Sequence, residues 1–298
     1  MQVNLVEVGP RDGFQAIPAT IATEEKEKII RGLYDAGLRR IEITSVVSNR
    51  ALPQLSDAGK IISFGNQLSG CLTQVLVANA KYASIALKQG ARKLVFVVSA
   101  SQTHNQKNVR LSVEESLREF REIAAMHPPT TPLRVNIATA LDCPFEGTMS
   151  VSKVMHLVEQ ILAISANVEL AICDTTGRNS PRRVTTLFNR LISDFGQENW
   201  VFHAHDTYGM GVANCLAAWH EGVKTFDSSI GGLGGCPYAP GSSGNVATED
   251  LVWLFEDMSI DTGVDMDMLL TVAETASSLP TALTGGKVRQ ALKNIRSA

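Results

Sequence analysis

His203 and His205 are separated by a single residue in the segment His203-Ala204-His205-Asp206. Successive side chains of an extended strand point to opposite faces, so these two imidazoles share one face. Neighbouring neutral imidazoles suit a divalent cation. Asp12, just past the first apolar run, and Asn245, past the last, are placed by chain order to close the same site. Two nitrogens with a carboxylate and an amide oxygen make a mixed, fairly hard ligand set. It fits Mg2+ or Mn2+ with open water positions better than a closed structural zinc site. Two histidines satisfied in a core remain the competing reading of the same spacing.

The most unusual stretch is Gly231-Gly232-Leu233-Gly234-Gly235-Cys236-Pro237-Tyr238-Ala239-Pro240-Gly241. Its glycines predict a pliable segment, and Cys236 would ride on it as a thiol over a mouth. A phosphate-cradling nest and an incidental thiol are the alternatives. The other cysteines read as packing residues: Cys71 and Cys173 in apolar strand runs, Cys215 in a helix, and Cys143 beside Pro144 in a loop. Five cysteines without close pairing predict a reducing compartment and a cytoplasmic location.

These residues need elements to hold them. Strand-like runs occur at Val3 to Val8, Arg40 to Thr44, Leu72 to Val77, Lys93 to Val98, Leu133 to Ala138, Val168 to Cys173, Trp200 to His205 and Thr225 to Ile230. Amphipathic stretches lie between them, among them Glu24 to Tyr34, Val113 to Met126, Ser152 to Ile164 and Pro181 to Phe195. Ser112 with Glu115 forms a capping box, and Ser180-Pro181 pairs an N-cap with proline in the first turn. Eight βα units without a glycine-rich nucleotide fingerprint after the first strand predict a closed (β/α)8 barrel rather than an open doubly wound sheet. Residues 1–260 are expected to form this TIM barrel. Residues 261–298 are expected to pack on it as a helical extension, with Met266 to Leu279 helical and Lys287 to Arg296 a basic, solvated helix face.

In such a barrel the reacting groups come from the carboxyl ends of the strands. Arg11 and Asp12 follow the first strand, Glu42 lies on the second, Asp174 ends the sixth, and the His-x-His pair sits on the seventh. The chain is 298 residues long, 44% hydrophobic and 19% charged, with a formal net charge of -3. That balance excludes a disordered chain and does not suit a nucleic-acid binder. The start lacks a basic, apolar leader, and the apolar run Leu94 to Val98 is far short of the roughly 20 residues needed to span a membrane. A soluble enzyme of small molecules is the expectation.

Five segments together resemble the hydroxymethylglutaryl-CoA lyase family, which lies within the wider isopropylmalate synthase-like metallolyase barrels. They are Val8-Gly9-Pro10-Arg11-Asp12-Gly13-Phe14-Gln15, Ile41-Glu42-Ile43-Thr44-Ser45, Cys173-Asp174-Thr175, His203 to Gly209 and Gly231 to Asn245. The resemblance implies a divalent metal on Asp12, His203, His205 and Asn245. It places Arg11, Glu42, Asp174, His203 and Cys236 around the reacting carbons, with Arg11 facing the enolate oxygen and Cys236 protonating the departing carbanion. His203, Glu42 or Asp174 would carry the hydroxyl proton, and a structural ion pair is the alternative role for Arg11 and Glu42. Gln15, Asn108 and Thr139 would contact substrate. An acyl-CoA thioester, a homodimer and cleavage to acetyl-CoA and a keto acid such as acetoacetate follow from the same resemblance.

The chain also departs from the family pattern. Asn136-Ile137-Ala138-Thr139 stands where Tyr-Val-Ser-Cys is expected, Asp142 replaces a glycine, and Ala16-Ile17-Pro18 follows Gln15 where Asn-Glu-Lys is usual. Each change lies where an acyl or carboxylate group would bind. Citramalyl-CoA or a longer branched glutaryl-CoA therefore competes as substrate. A Claisen-type synthase and a catalytically silent acyl-CoA-binding barrel are the other readings.

Overall fold

The computed structural model describes residues 2–130, 133–196, 199–235 and 244–296, of which residues 294–296 are described by backbone alone. Eight parallel strands close into a barrel: β1 (Asn4–Glu7), β2 (Arg40–Val46), β3 (Leu72–Val77), β4 (Lys93–Ser99), β5 (Leu133–Ala138), β6 (Val168–Asp174), β7 (Trp200–Ala204) and β8 (Thr225–Ser228). Around the ring the order is β1-β8-β7-β6-β5-β4-β3-β2. Closure leaves no sheet edge and buries both faces, which is why β5 and β6 are buried along their whole length. The expected strands are all present, with ends shifted by one or two residues.

Two of those shifts matter to the mouth of the barrel. β7 stops before His205 because His205 leaves the parallel ladder and bridges Asn245 antiparallel. β8 stops at Ser228 because Ser229 bridges Ala247. The segment from Asn245 to Ala247 thus lies across the tops of both strands.

Helices fill the connections: α1 (Thr23–Asp35), α2 (Ala58–Gly65), α3 (Ala80–Lys88), α4 (Gln102–Val109), α5 (Val113–Met126), α6 (Val151–Ile164), α7 (Pro181–Phe195), α8 (Gly211–His220) and α9 (Thr248–Asp257). The capping box at α5 is complete, Ser112 Oγ accepting from Glu115 N at 3.1 Å and Glu115 Oε2 accepting from Ser112 N at 2.7 Å. Ser180 does occupy the N-cap of α7 ahead of Pro181, but its side chain makes no capping hydrogen bond. Cys143 is not in a loop: it belongs to a short hairpin pairing Asp142–Cys143 with Gly147–Thr148.

Past the barrel, α10 (Met266–Ser277) packs against α1, and α11 (Lys287–Arg296) packs against α9. The basic tail is not simply a solvated face, since Arg289 is buried and ion-paired with Glu274. Among the described residues no helix is long and apolar enough to cross a membrane.

The barrel interior is unusually charged. Branched aliphatic side chains normally fill such interiors. Here register pairs Arg134 with Glu169 and His203 with Asp227, and alternation points all four inward. Glu169 accepts from Lys93 at 2.9 Å and pairs with Arg40 at 2.5 Å, while Arg134 donates to Asp227. Lys93 and Arg134 are completely buried. A buried charge keeps its place only if paired, and removing one partner of such a pair typically costs about 3–5 kcal/mol. The ladder therefore ties the lower barrel to His203 at the mouth.

Candidate active site and metal centre

A wide, π-helical turn over Gly9–Gly13 follows β1 and presents Arg11 and Asp12 to the mouth. His203 on β7 and His205 just past its end rise beside it, their ring centroids 5.2 Å apart. One ligand atom each from Asp12, His203 and His205 lies within 4.8 Å of the others. Asn245 joins them, its Nδ2 donating to Asp12 Oδ2 at 2.7 Å and to Leu233 O at 3.1 Å. Gly234, at φ +132°, makes this approach possible, because a Cβ there would stand 2.6 Å from Asn245 Nδ2.

The donor set fits a divalent cation. His205 Nδ1 and Asn245 Oδ1 are buried without a hydrogen-bond partner, which is costly for polar atoms that nothing else is to engage. Burial and neighbouring His203 push the His205 pKa down to about 4, so its imidazole is neutral at pH 7. Burial alone would raise the Asp12 pKa, but Arg11 and His203 outweigh it and hold this carboxylate ionised. Neutral imidazole, carboxylate and amide oxygen are the protonation states a metal requires.

Arg11 is held from two sides. Its Nε donates to Glu42 and its Nη1 to Asp12 at 2.5 Å, and Glu42 also accepts from Gln74 Nε2 at 2.9 Å. These ties leave Nη2 without a partner among the described residues. The expected ion pair and the expected site thus coincide, since Arg11 joins Glu42 to a candidate metal ligand. Asp174 is placed differently. Its carboxylate accepts from Asn179 Nδ2 at 2.5 Å, Gly177 N at 3.1 Å and Asn214 Nδ2 at 3.4 Å, all in the loop after β6 or in α8. Burial raises its pKa to about 6 despite those donors.

Of the remaining expected residues, Thr139 tops β5 in a left-handed conformation, φ +54°, with its N–H on Thr175 Oγ1 at 2.7 Å. Gln15 is half-buried just after the π-helical turn, and Asn108 is exposed on α4. Cys236 lies outside the described residues. The substituted Asn136 faces inward, its Oδ1 accepting from Arg134 Nε at 2.7 Å. Asp142 accepts from the Thr176 hydroxyl at 3.2 Å and lies 3.6 Å from Arg178.

Sequence reasoning passed over two residues. Asp227 Oδ2 lies 3.0 Å from His203 Nδ1, and Arg134 donates to that same carboxylate oxygen. With Nδ1–H on Asp227, His203 would keep its Nε2 lone pair available to a cation. The available signal was an acid and a base inside otherwise apolar strand runs, Phe226-Asp227 and Leu133-Arg134-Val135.

A family model described as HMGL-like matches residues 2–276, nearly the whole barrel and α10. The chain belongs to the HMGL-like family. A hydroxymethylglutaryl-CoA lyase of Bacillus subtilis, YngG, is 40% identical over 276 residues, 92% of this chain and 91% of that protein. The cytoplasmic 3-hydroxy-3-methylglutaryl-CoA lyase of Rattus norvegicus is 35% identical across 97% of this chain and 84% of its own length. Among solved structures, an HMG-CoA lyase of Acinetobacter baumannii in complex with coenzyme A and 3-methylmalate superposes with a TM-score of 0.92 at 36% identity, covering 97% of this chain and 95% of that one. As a member of the HMGL-like family, the chain is a carbon–carbon lyase.

Proposed function

We propose that this lyase cleaves 3-hydroxy-3-methylglutaryl-CoA to acetyl-CoA and acetoacetate with the help of Mg2+ or Mn2+. The observation that carries the reading is the convergence of Asp12, His203, His205 and Asn245 beside a doubly tethered Arg11 at one end of the barrel. The relative crystallised with coenzyme A and a dicarboxylate supports a mouth of this shape accepting such a substrate. A divalent ion held by those four residues supplies Lewis acidity toward the substrate hydroxyl.

Cleavage removes the hydroxyl proton and breaks the C2–C3 bond. C3 becomes a ketone, and the electron pair passes to C2 and the thioester oxygen. Arg11, permanently charged and fixed by Glu42 and Asp12, offers Nη2 to that developing enolate oxygen. Of the two carboxylates expected to serve as base, Glu42 lies against Arg11, whereas Asp174 is turned into the loop after β6. We therefore assign the hydroxyl proton to Glu42 and the shape of the loop to Asp174. Cys236 returns a proton to C2.

Gln15, Thr139 and Asn108 are assigned to substrate contact. A larger or differently substituted acyl group is the second reading, favoured by the inward-facing Asn136 in place of a tyrosine. A cytoplasmic location is supported by the four buried free thiols Cys71, Cys143, Cys173 and Cys215. A homodimer is supported by the exposed apolar side chains of Trp253, Met268 and Leu283; light scattering decides it. The decisive experiment is a metal-supplemented assay of the purified protein against 3-hydroxy-3-methylglutaryl-CoA, citramalyl-CoA and longer branched analogues. Failure to cleave the first while cleaving another transfers the assignment to that substrate.

A further inference from the structure

α11 packs against α9, and the chain between α10 and α11 reaches the base of the glycine-rich segment. Gly285 N donates to Gly231 O at 2.8 Å. Gly286, at φ +83°, passes so close that a Cβ would lie 2.3 Å from Glu249 Oε1. Glu249 is fully buried at the start of α9, and its Oε2 accepts from Gly231 N at 3.1 Å. Thus both the N–H and the C=O of Gly231 are held, one by Glu249 and the other by the C-terminal segment.

Arg289 holds that segment in place. Its Nη2 donates to Gly285 O at 3.1 Å, its Nη1 to Glu274 at 3.3 Å, and its Nε stands 3.8 Å from Glu249 Oε1. Arg289 Nε and Glu249 Oε1 are both buried and neither has a hydrogen-bond partner, so each is the other's nearest compensation. Asp250 adds a second fastening by accepting from Lys287 N at 3.0 Å and Val288 N at 2.8 Å, first-turn amides of α11 that have no acceptor within the helix. What Gly231 positions is the site itself. Two residues on, Leu233 O accepts from Asn245 Nδ2, the same nitrogen that reaches Asp12.

We infer that Arg289 is a positioning residue for the lyase reaction: through Gly285 and Glu249 it fixes Gly231, and through the Gly231–Leu233 backbone it holds Asn245 at the metal centre. The inference rests on the reading of Asn245 as a metal ligand. No catalytic contact is involved, so the role shows first in the geometry of the site.

The test uses the full-length protein and Mn2+ alone as probe. Arg289→Ala should weaken Mn2+ binding about tenfold, the lower range for groups that orient metal ligands. It should also speed hydrogen exchange in peptides containing Gly231 and Gly232. Arg289→Lys should fall between this variant and the parent, because one ammonium cannot serve Gly285, Glu274 and Glu249 together. If Arg289→Ala does not fold, Glu249→Gln reads the same link, since its amide oxygen keeps an acceptor for Gly231 N while its amide N–H, a donor, is turned toward the donor Nε of Arg289; the same weakening is expected. Parental Mn2+ affinity with parental exchange in a folded variant would reduce Arg289 to a packing residue. Asn245→Ala with parental Mn2+ affinity would instead overturn the metal assignment, whatever Arg289 does.

Discussion

His203 and Asp227 occupy register-paired positions on β7 and β8, and Nδ1 of the one lies 3.0 Å from Oδ2 of the other. The carboxylate is thereby committed to orienting an imidazole, and Arg134, donating to the same Oδ2, keeps it charged. Asp227→Asn should weaken Mn2+ binding by about 10–100-fold, since the amide can no longer fix the same ring tautomer. Calorimetric titration with the metal reads this directly. Unchanged affinity would mean that His203 is oriented by packing alone. Because Arg134 loses its charged partner, the melting temperature should also fall.

The two buried carboxylates Glu42 and Asp174 should separate on substitution. Glu42→Gln removes the proposed base and loosens Arg11, so kcat should drop by roughly 100-fold or more with little change in KM. Asp174→Asn should act more weakly on kcat and more on stability, as its partners are Asn179, Gly177 and Asn214. A larger kcat loss in Asp174→Asn than in Glu42→Gln would reverse the assignment of the base.

Cys236→Ser should retain Mn2+ and substrate binding while slowing turnover, because a hydroxyl is a far weaker acid than a thiol of pKa ~8.5. Alkylation should inactivate the parent, and bound substrate should protect it. The modified position must be mapped by mass spectrometry, since Cys143, hydrogen-bonded to Ser101 at 3.0 Å in the Asp142–Thr148 hairpin, is a second thiol that could react. Parental turnover in Cys236→Ser would leave the thiol incidental.

Glu7 gives the fold a pH dependence of its own. Burial raises its pKa to about 7, outweighing hydrogen bonds from Thr248, Ile230 N and Gly9 N. A folded-state pKa above the unfolded value means that the protonated form binds its proton more tightly in the native state. The associated stability is present below about pH 4.5 and is lost as pH rises through about 7. Its full size is on the order of 3 kcal/mol. Glu7→Gln should flatten this part of the melting-temperature profile and be the more stable protein at pH 8; a profile parallel to that of the parent would show that Glu7 does not titrate there.

The sequence alone determined what local periodicity can carry. Alternating and continuous apolar runs located the eight strands, the Ser112–Glu115 pair set the start of α5, and one-residue spacing put His203 and His205 on one face. These are properties of a few consecutive residues, and backbone geometry translates them without reference to the rest of the chain. The tertiary structure decided everything that depends on barrel closure. Asp12 meets Asn245 across 233 positions of sequence, and Arg134 meets Asp227 across 93. An inward-facing charge is legible on its own strand, but its partner is set by which strand lies opposite. For the same reason Asp174 turned out to be held by its own loop, and a seemingly solvated Arg289 to be buried against Glu274 and Glu249. Side-chain type and spacing name the chemistry a residue can do; only long-range packing, by choosing its neighbours, assigns which of those chemistries it is placed to perform.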